Sequence, residues 1–171
     1  MGVAAPLTLI AAPVVGSFMA LVADRWGTGE GMVAGRSRCD ACRTPLGARD
    51  LVPLASWLAL GGRCRHCDAR IGGFAPLMEL AALAVAVWSV LVFPAALILP
   101  SAVLGWVLLT AAEIDRRHMI LPDALTLGLI PLGLGTIWLV APAALGDAVL
   151  GVLAGGLSLG AVRAAYAALR G

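Results

Sequence analysis

Apolar residues in this chain come in five long runs, at about 4–23, 76–93, 95–112, 123–140 and 146–166. Each run is close to the ~20 residues a helix needs to cross a hydrocarbon core of about 30 Å. The pattern predicts an all-α polytopic membrane protein with about five transmembrane helices. Pro13, Pro100 and Pro131 fall inside spans, where bundled membrane helices tolerate kinks. Polar positions gather in two places. One is the connection at 24–75. The other is the stretch AAEIDRRHMILPDALT (111–126), which sets Glu113, Asp115, Arg116, Arg117, His118 and Asp123 between two apolar runs. Charge there either anchors a membrane boundary or does chemistry. The chain therefore divides into a first transmembrane helix (1–23), a polar loop (24–75) and a membrane core (76–171), without internal repeats.

Composition agrees with the pattern. The chain is 61% hydrophobic and 13% charged, with a mean hydropathy of +0.97, which excludes an ordinary soluble domain of 171 residues. Its surrounding is a lipid bilayer, and no nucleic-acid partner is expected. Lys is absent, and eight of the twelve Arg residues lie in 24–75: Arg25, Arg36, Arg38, Arg43, Arg49, Arg63, Arg65 and Arg70. Arg116, Arg117, Arg163 and Arg170 complete the set. Cytoplasmic connections carry the excess of positive charge. An N-terminus on the outer side then puts every Arg in the cytoplasm, with Arg116 and Arg117 as topology anchors. The first run is an alternative signal peptide. It lacks a basic residue ahead of the apolar stretch, and cleavage after Ala23 would place Leu21 where a small residue is preferred.

The polar loop holds CDAC and CRHC, which pair Cys39 with Cys42 and Cys64 with Cys67 across twenty-one intervening residues. Two C-x-x-C knuckles can bring four thiolates around one tetrahedral zinc ion. Two disulfides are the alternative, but structural disulfides are rare in the reducing cytoplasm where the Arg count puts this loop. The zinc reading leaves His66 outside the ligand shell. The apolar patch around Leu54, Trp57 and Leu58 then either meets the membrane surface or covers the metal. GTGEG (27–31) has no strand before it and reads as a loop.

The order of these features resembles the bacterial prepilin peptidases, also called type IV prepilin leader peptidases. GSFMALVADR (16–25) is similar to the family's opening Gly-Ser-Phe motif. RSRCDAC and DLVPLASWLALGGRCRHC are close to its zinc loop, APLMEL (75–80) to its Tyr-Pro-Leu-x-Glu motif, and IDRRHMILPDALT to its first catalytic motif. The resemblance implies a membrane aspartic endopeptidase of the bacterial inner membrane. Such an enzyme removes the basic leader of prepilins or type II secretion pseudopilins at the cytoplasmic face, and many members also N-methylate the product with S-adenosylmethionine. In the family the catalytic aspartate lies seven residues before the proline of Leu-Pro-Asp. With Pro122 as that proline, the position is Asp115. An aspartic protease shares one proton between two carboxylates, one activating water while the other polarises the scissile carbonyl. Glu79, just inside the second span, is a functional candidate or a polar contact that positions the bundle. Asp123 is placed to cap the fourth span, and His118 reads as an interfacial side chain.

Two departures from the family qualify these expectations. Ala20 stands where the family has Asn, within the motif associated with methylation, so S-adenosylmethionine is expected only if that activity is present. The family's second aspartate belongs to a Gly-x-Gly-Asp-x-Lys motif, which residues 1–171 do not contain; Gly146–Asp147 matches the start of the preceding helix instead. The expectation is half a dyad, from a shortened chain whose parent is a peptidase. The alternative is a catalytically silent, zinc-containing membrane binding or assembly protein.

Overall fold

The computed structural model of the protein describes residues 3–26 and 37–170. The GTGEG stretch and Arg36 lie outside the described residues. Five helices are long and apolar enough to cross a membrane. They are α1 (Ala4–Arg25), α3 (Phe74–Val92), α4 (Ala95–His118), α5 (Asp123–Val140) and α6 (Leu145–Arg170). A short helix, α2 (Ala55–Ala59), lies in the connection before α3. The described residues form no strand beyond two isolated bridges. The predicted all-α, five-span architecture is the observed one. The chain falls into two compact units, Met1–Pro122 and Asp123–Gly171.

In the first unit α1, α3 and α4 form a three-helix bundle. Its core is mostly alanine: Ala12, Ala20, Ala82, Ala86 and Ala102, with Met19, Met78 and Trp106 filling the larger spaces. Lipid tails are as apolar as leucine, so membrane helices associate by close packing of small residues. Gly16 is the extreme case: a Cβ there would lie 2.5 Å from the Cα of Glu79 and 2.7 Å from the carbonyl oxygen of Met78. The bundle satisfies its polar groups internally. Trp106 Nε1 donates to the Ala82 carbonyl at 2.9 Å, and Thr8 and Thr110 donate to the carbonyls four residues back. The larger apolar side chains, among them Leu7, Ile10, Phe18, Trp88 and Leu91, point outward and are more than half exposed, as lipid-facing residues are.

The second unit is a hairpin of α5 and α6 joined through a 3₁₀ turn at Pro142–Ala144. Asp123 opens α5, where its charge faces the positive end of the helix dipole.

Two boundaries differ from the hydropathy pattern. The third span, bounded by sequence at about 112, continues as helix to His118. Glu113 pairs with Arg116 and Arg117 one turn on, and the basic residues occupy the last turn, where the dipole favours them. The charged run is thus helical up to Met119, which takes a left-handed conformation (φ 54°) and donates its N–H to the Asp115 carbonyl at 2.7 Å. The last span continues to Arg170 because its polar tail is rich in alanine, the strongest helix former. All three internal prolines lie within continuous helices.

Candidate functional site

Both C-x-x-C segments fold into the same tight knuckle. In the first, Cys39 N–H donates to the Thr44 carbonyl at 3.0 Å and Arg43 N–H to the Cys39 carbonyl at 2.8 Å. In the second, Cys64 N–H donates to the Ala69 carbonyl at 2.8 Å and Asp68 N–H to the Cys64 carbonyl at 3.0 Å. Each knuckle closes with an isolated bridge, Arg38 to Pro45 and Arg63 to Arg70. The turn requires positive φ at its fifth position, which Arg43 (φ 58°) and Asp68 (φ 59°) adopt where glycine would be unstrained. The turn of each knuckle is thus intact without a glycine at that position.

The knuckles face each other and bring the four sulfurs of Cys39, Cys42, Cys64 and Cys67 within 4.8 Å of one another. Cys39 Sγ lies 3.8 Å from Cys67 Sγ, and Cys42 Sγ 4.0 Å from Cys64 Sγ. All four are free thiols. A tetrahedron of sulfurs around zinc, with bonds of about 2.3 Å, has edges of about 3.8 Å. The four cysteines could therefore hold a metal ion with little rearrangement. Electrostatics point the same way. Thr44, by its hydroxyl and then its backbone N–H, favours the Cys42 thiolate and lowers its pKa to about 6. Backbone N–H groups of His66 and Cys67 lower that of Cys64. At Cys67 the Ala69 N–H also favours the thiolate, but desolvation and the neighbouring sulfurs outweigh it and push the pKa up to about 12. The cluster resists its last deprotonation unless a cation balances the charge. His66 is exposed, with only its backbone N–H directed at Cys64 Sγ.

Side chains fasten the module internally and to the bundle. Asp50 receives hydrogen bonds from Arg65 Nε at 2.9 Å and from the Gly47 N–H at 3.2 Å, and the arginine, followed by that N–H, holds its carboxyl below the usual range. Trp57 packs over Gly62, where a Cβ would meet the indole ring at 3.0 Å, while Leu58 stays exposed. Glu79, only 5% exposed, accepts a hydrogen bond on Oε2 from the backbone N–H of Leu54 at 2.7 Å. Leu54 sits at φ 59°, a strained conformation for leucine that the buried carboxyl group helps to fix. The contact ties α3 to the module. A cavity of about 750 Å³ separates the end of α1, the start of α3 and the module, with Ser17, Ala20, Asp24, Trp57 and Glu79 among its lining.

Asp115 occupies the last turn of α4 and is half-buried. Among the described residues its carboxyl group has no hydrogen bond or ion pair. The charges beside it are committed. Glu113 accepts two hydrogen bonds from Arg116, at 2.7 and 2.8 Å, and one from Arg117 Nε at 2.6 Å. Arg117 Nη1 also donates to Asp24 Oδ1 at 2.6 Å, and its guanidinium lies 3.9 Å from the centre of the Phe74 ring. By its place in the sequence Arg117 reads as a topology anchor. Its pairing with Asp24 spans ninety-three positions, and only the packed bundle reveals it. His118 is exposed, and Asp123 belongs to the other compact unit.

Comparison with known proteins gives a consistent picture. Residues 10–93 match the bacterial peptidase A24 N-terminal domain, and residues 102–168 match the type IV leader peptidase family. The chain is 44% identical over 138 residues to the prepilin leader peptidase/N-methyltransferase of Aeromonas hydrophila, covering 80% of this chain and 47% of that protein. It is 39% identical over 130 residues to a type 4 prepilin-like proteins leader peptide-processing enzyme of Escherichia coli O78:H11, covering 75% and 48%. With the prepilin leader peptidase/N-methyltransferase of Klebsiella pneumoniae, identity is 40% over 136 residues, covering 79% and 60%. The chain thus spans about half the length of the first two relatives and somewhat more of the third. No solved structure matches it.

Proposed function

Since the chain belongs to the type IV leader peptidase family, a family of membrane-embedded proteases, we propose that it acts as an aspartic endopeptidase on the leaders of prepilins or type II secretion pseudopilins. One observation carries this reading. Asp115 is the one carboxylate of the last turn of α4 left unpaired among the described residues, while Glu113 beside it is held by two arginines. An aspartic protease needs a carboxylate free to take a proton from water. The second carboxylate is proposed to come from a Gly-x-Gly-Asp-x-Lys segment, a motif that residues 1–171 do not contain. One shared proton would sit between the two groups, because like charges at that distance do not both ionise.

The Arg distribution supports an orientation in the bacterial inner membrane with the cysteine module and Asp115 in the cytoplasm. Zinc at Cys39, Cys42, Cys64 and Cys67 is proposed to be structural, since four thiolates leave no open position for a substrate or water. The N-methyltransferase names of the relatives favour a second reading, methylation of the new N-terminus with S-adenosylmethionine. Ala20, which lines the cavity, offers only a methyl group at the position where the family resemblance expects Asn.

The test uses a protein continued through a Gly-x-Gly-Asp-x-Lys segment, in inverted membrane vesicles, with a prepilin as substrate. Cleavage is expected in inverted but not in right-side-out vesicles. Asp115→Asn is expected to lower it by a factor on the order of 10²–10⁴, the usual contribution of a general base, with Asp123→Asn close to the parent. Cleavage undiminished in Asp115→Asn would refute the assignment. Prepilin binding without cleavage in the parent would favour a silent assembly protein.

A further inference from the structure

Arg117 makes a set of contacts that the peptidase reading does not use. Its guanidinium binds Glu113 on its own helix, Asp24 one residue before the end of α1, and the face of Phe74, the first residue of α3. Asp24 and Phe74 flank the two points at which the chain leaves and rejoins the bundle around the cysteine module. A single side chain therefore joins the last turn of α4 to both mouths of that module. The last turn needs such a fixture, because the final four carbonyls of a helix have no intrahelical partner and its end frays. Fraying there would swing Asp115, since each residue turns the helix by about 100°. Arg116 provides the contrast. It binds the same Glu113 but is 68% exposed and, among the described residues, has no hydrogen bond or ion pair with α1 or α3, whereas Arg117 is 25% exposed.

We propose that Arg117 is a positioning residue, which fixes Asp115 by clamping the end of α4 to Asp24 and Phe74 and thereby couples it to the cysteine module. The proposal rests on the reading of Asp115 as the proteolytic carboxylate. Its test does not depend on activity alone. Amide exchange of residues 113–119 is measured in lipid nanodiscs for the parent, Arg117→Ala, Asp24→Asn and Arg116→Ala. A charge-assisted hydrogen bond is worth enough that Arg117→Ala and Asp24→Asn are each expected to speed exchange about tenfold, with Arg116→Ala near the parent. In the extended, cleaving protein, Arg117→Ala is expected to lower kcat about tenfold with KM unchanged, and Arg117→Lys to recover part of the loss. Equal exchange in Arg117→Ala and Arg116→Ala would overturn the proposal. So would an unchanged kcat in Arg117→Ala when Asp115→Asn is inactive. Full activity in Asp115→Asn would instead defeat the peptidase assignment, while the exchange data would still decide whether the clamp exists.

Discussion

The cysteine module and the three-helix bundle of the same compact unit are held together by opposite means. Among described residues 37–73, only Gly62 and Cys64 are buried. In the bundle, five alanines of the core are at most 2% exposed, and Gly16 leaves no space for a β-carbon between α1 and α3. The module has turns, positive-φ residues and ion pairs but almost no apolar core, so hydrophobic burial cannot stabilise it. The bundle has close backbone contact and few charges inside. The proposed metal would then stabilise one region as packing stabilises the other, and perturbations of each kind should separate them.

The largest effect is expected from the metal. Structural zinc sites contribute about 10–16 kcal/mol in small peptides, far more than the few contacts of the module can replace. Cys64→Ser, or a strong chelator, is expected to abolish stoichiometric zinc and open residues 37–73 to protease, while the helical signal of the bundle persists. Lowering the pH should release the metal too, because the ligands bind as thiolates and protons compete for them. In the metal-free module, Cys42 keeps its thiolate down to about pH 6. The stabilisation that Thr44 gives this thiolate is complete above the ordinary thiol value of 9.0, shrinks as pH falls from there and is lost below about 6, the sign for a group whose folded pKa is depressed. Metal analysis with limited proteolysis checks the expectation. Loss of bundle helicity along with the zinc would show that the two regions are not separable.

Gly16→Val reverses the experiment. Its β-carbon would press on the backbone of Met78 and Glu79, which cannot move like a side-chain tip, so α1 and α3 must part. Overpacking of this kind costs about 1–3 kcal/mol, and here it acts on the bundle alone. A lower thermal midpoint in detergent with one zinc per chain retained is the expected result. An unchanged midpoint would mean that the close approach at Gly16 contributes nothing to stability.

What the sequence makes legible follows the same division. Hydropathy is a property of composition over twenty residues, so all five spans could be read from the sequence, and so could the C-x-x-C pairs, whose ligands are neighbours in the chain. The helical reach of α4 to His118 does not show in hydropathy, which ends at the first charge, whereas the helix continues on ion pairs three and four residues apart. The contacts of Arg117 are not legible because Asp24 and Phe74 are distant in sequence, and the opposite charges of Asp24 and Arg117 are only two among many. The positive-φ turn at Leu54 is hidden for a third reason. Leu54 carries no local signal for positive φ, and its conformation is fixed by a carboxyl group twenty-five residues away.

That contact between Glu79 and Leu54 is where the two regions meet, and it yields the smallest and sharpest test of their separation. Glu79 projects from the first turns of α3, in the layer where Gly16 brings α1 against it, and its oxygen reaches a backbone N–H of the module. Glu79→Gln keeps an acceptor of the same reach and is expected to cost well under the ~1 kcal/mol of an ordinary hydrogen bond. Glu79→Ala removes the acceptor and leaves the Leu54 N–H to find water or relax its strained turn, at a cost of about 1–3 kcal/mol. In neither variant should zinc content or bundle stability fall, because the sulfurs and the alanine core are untouched. What should change is amide exchange at residues 52–58, faster in Glu79→Ala and nearly unaltered in Glu79→Gln. If both variants exchange alike, the hydrogen bond is incidental and the module is seated by packing. If Glu79→Ala also loses its zinc, the tether is part of the metal site's fold, and the contrast between the two regions does not hold.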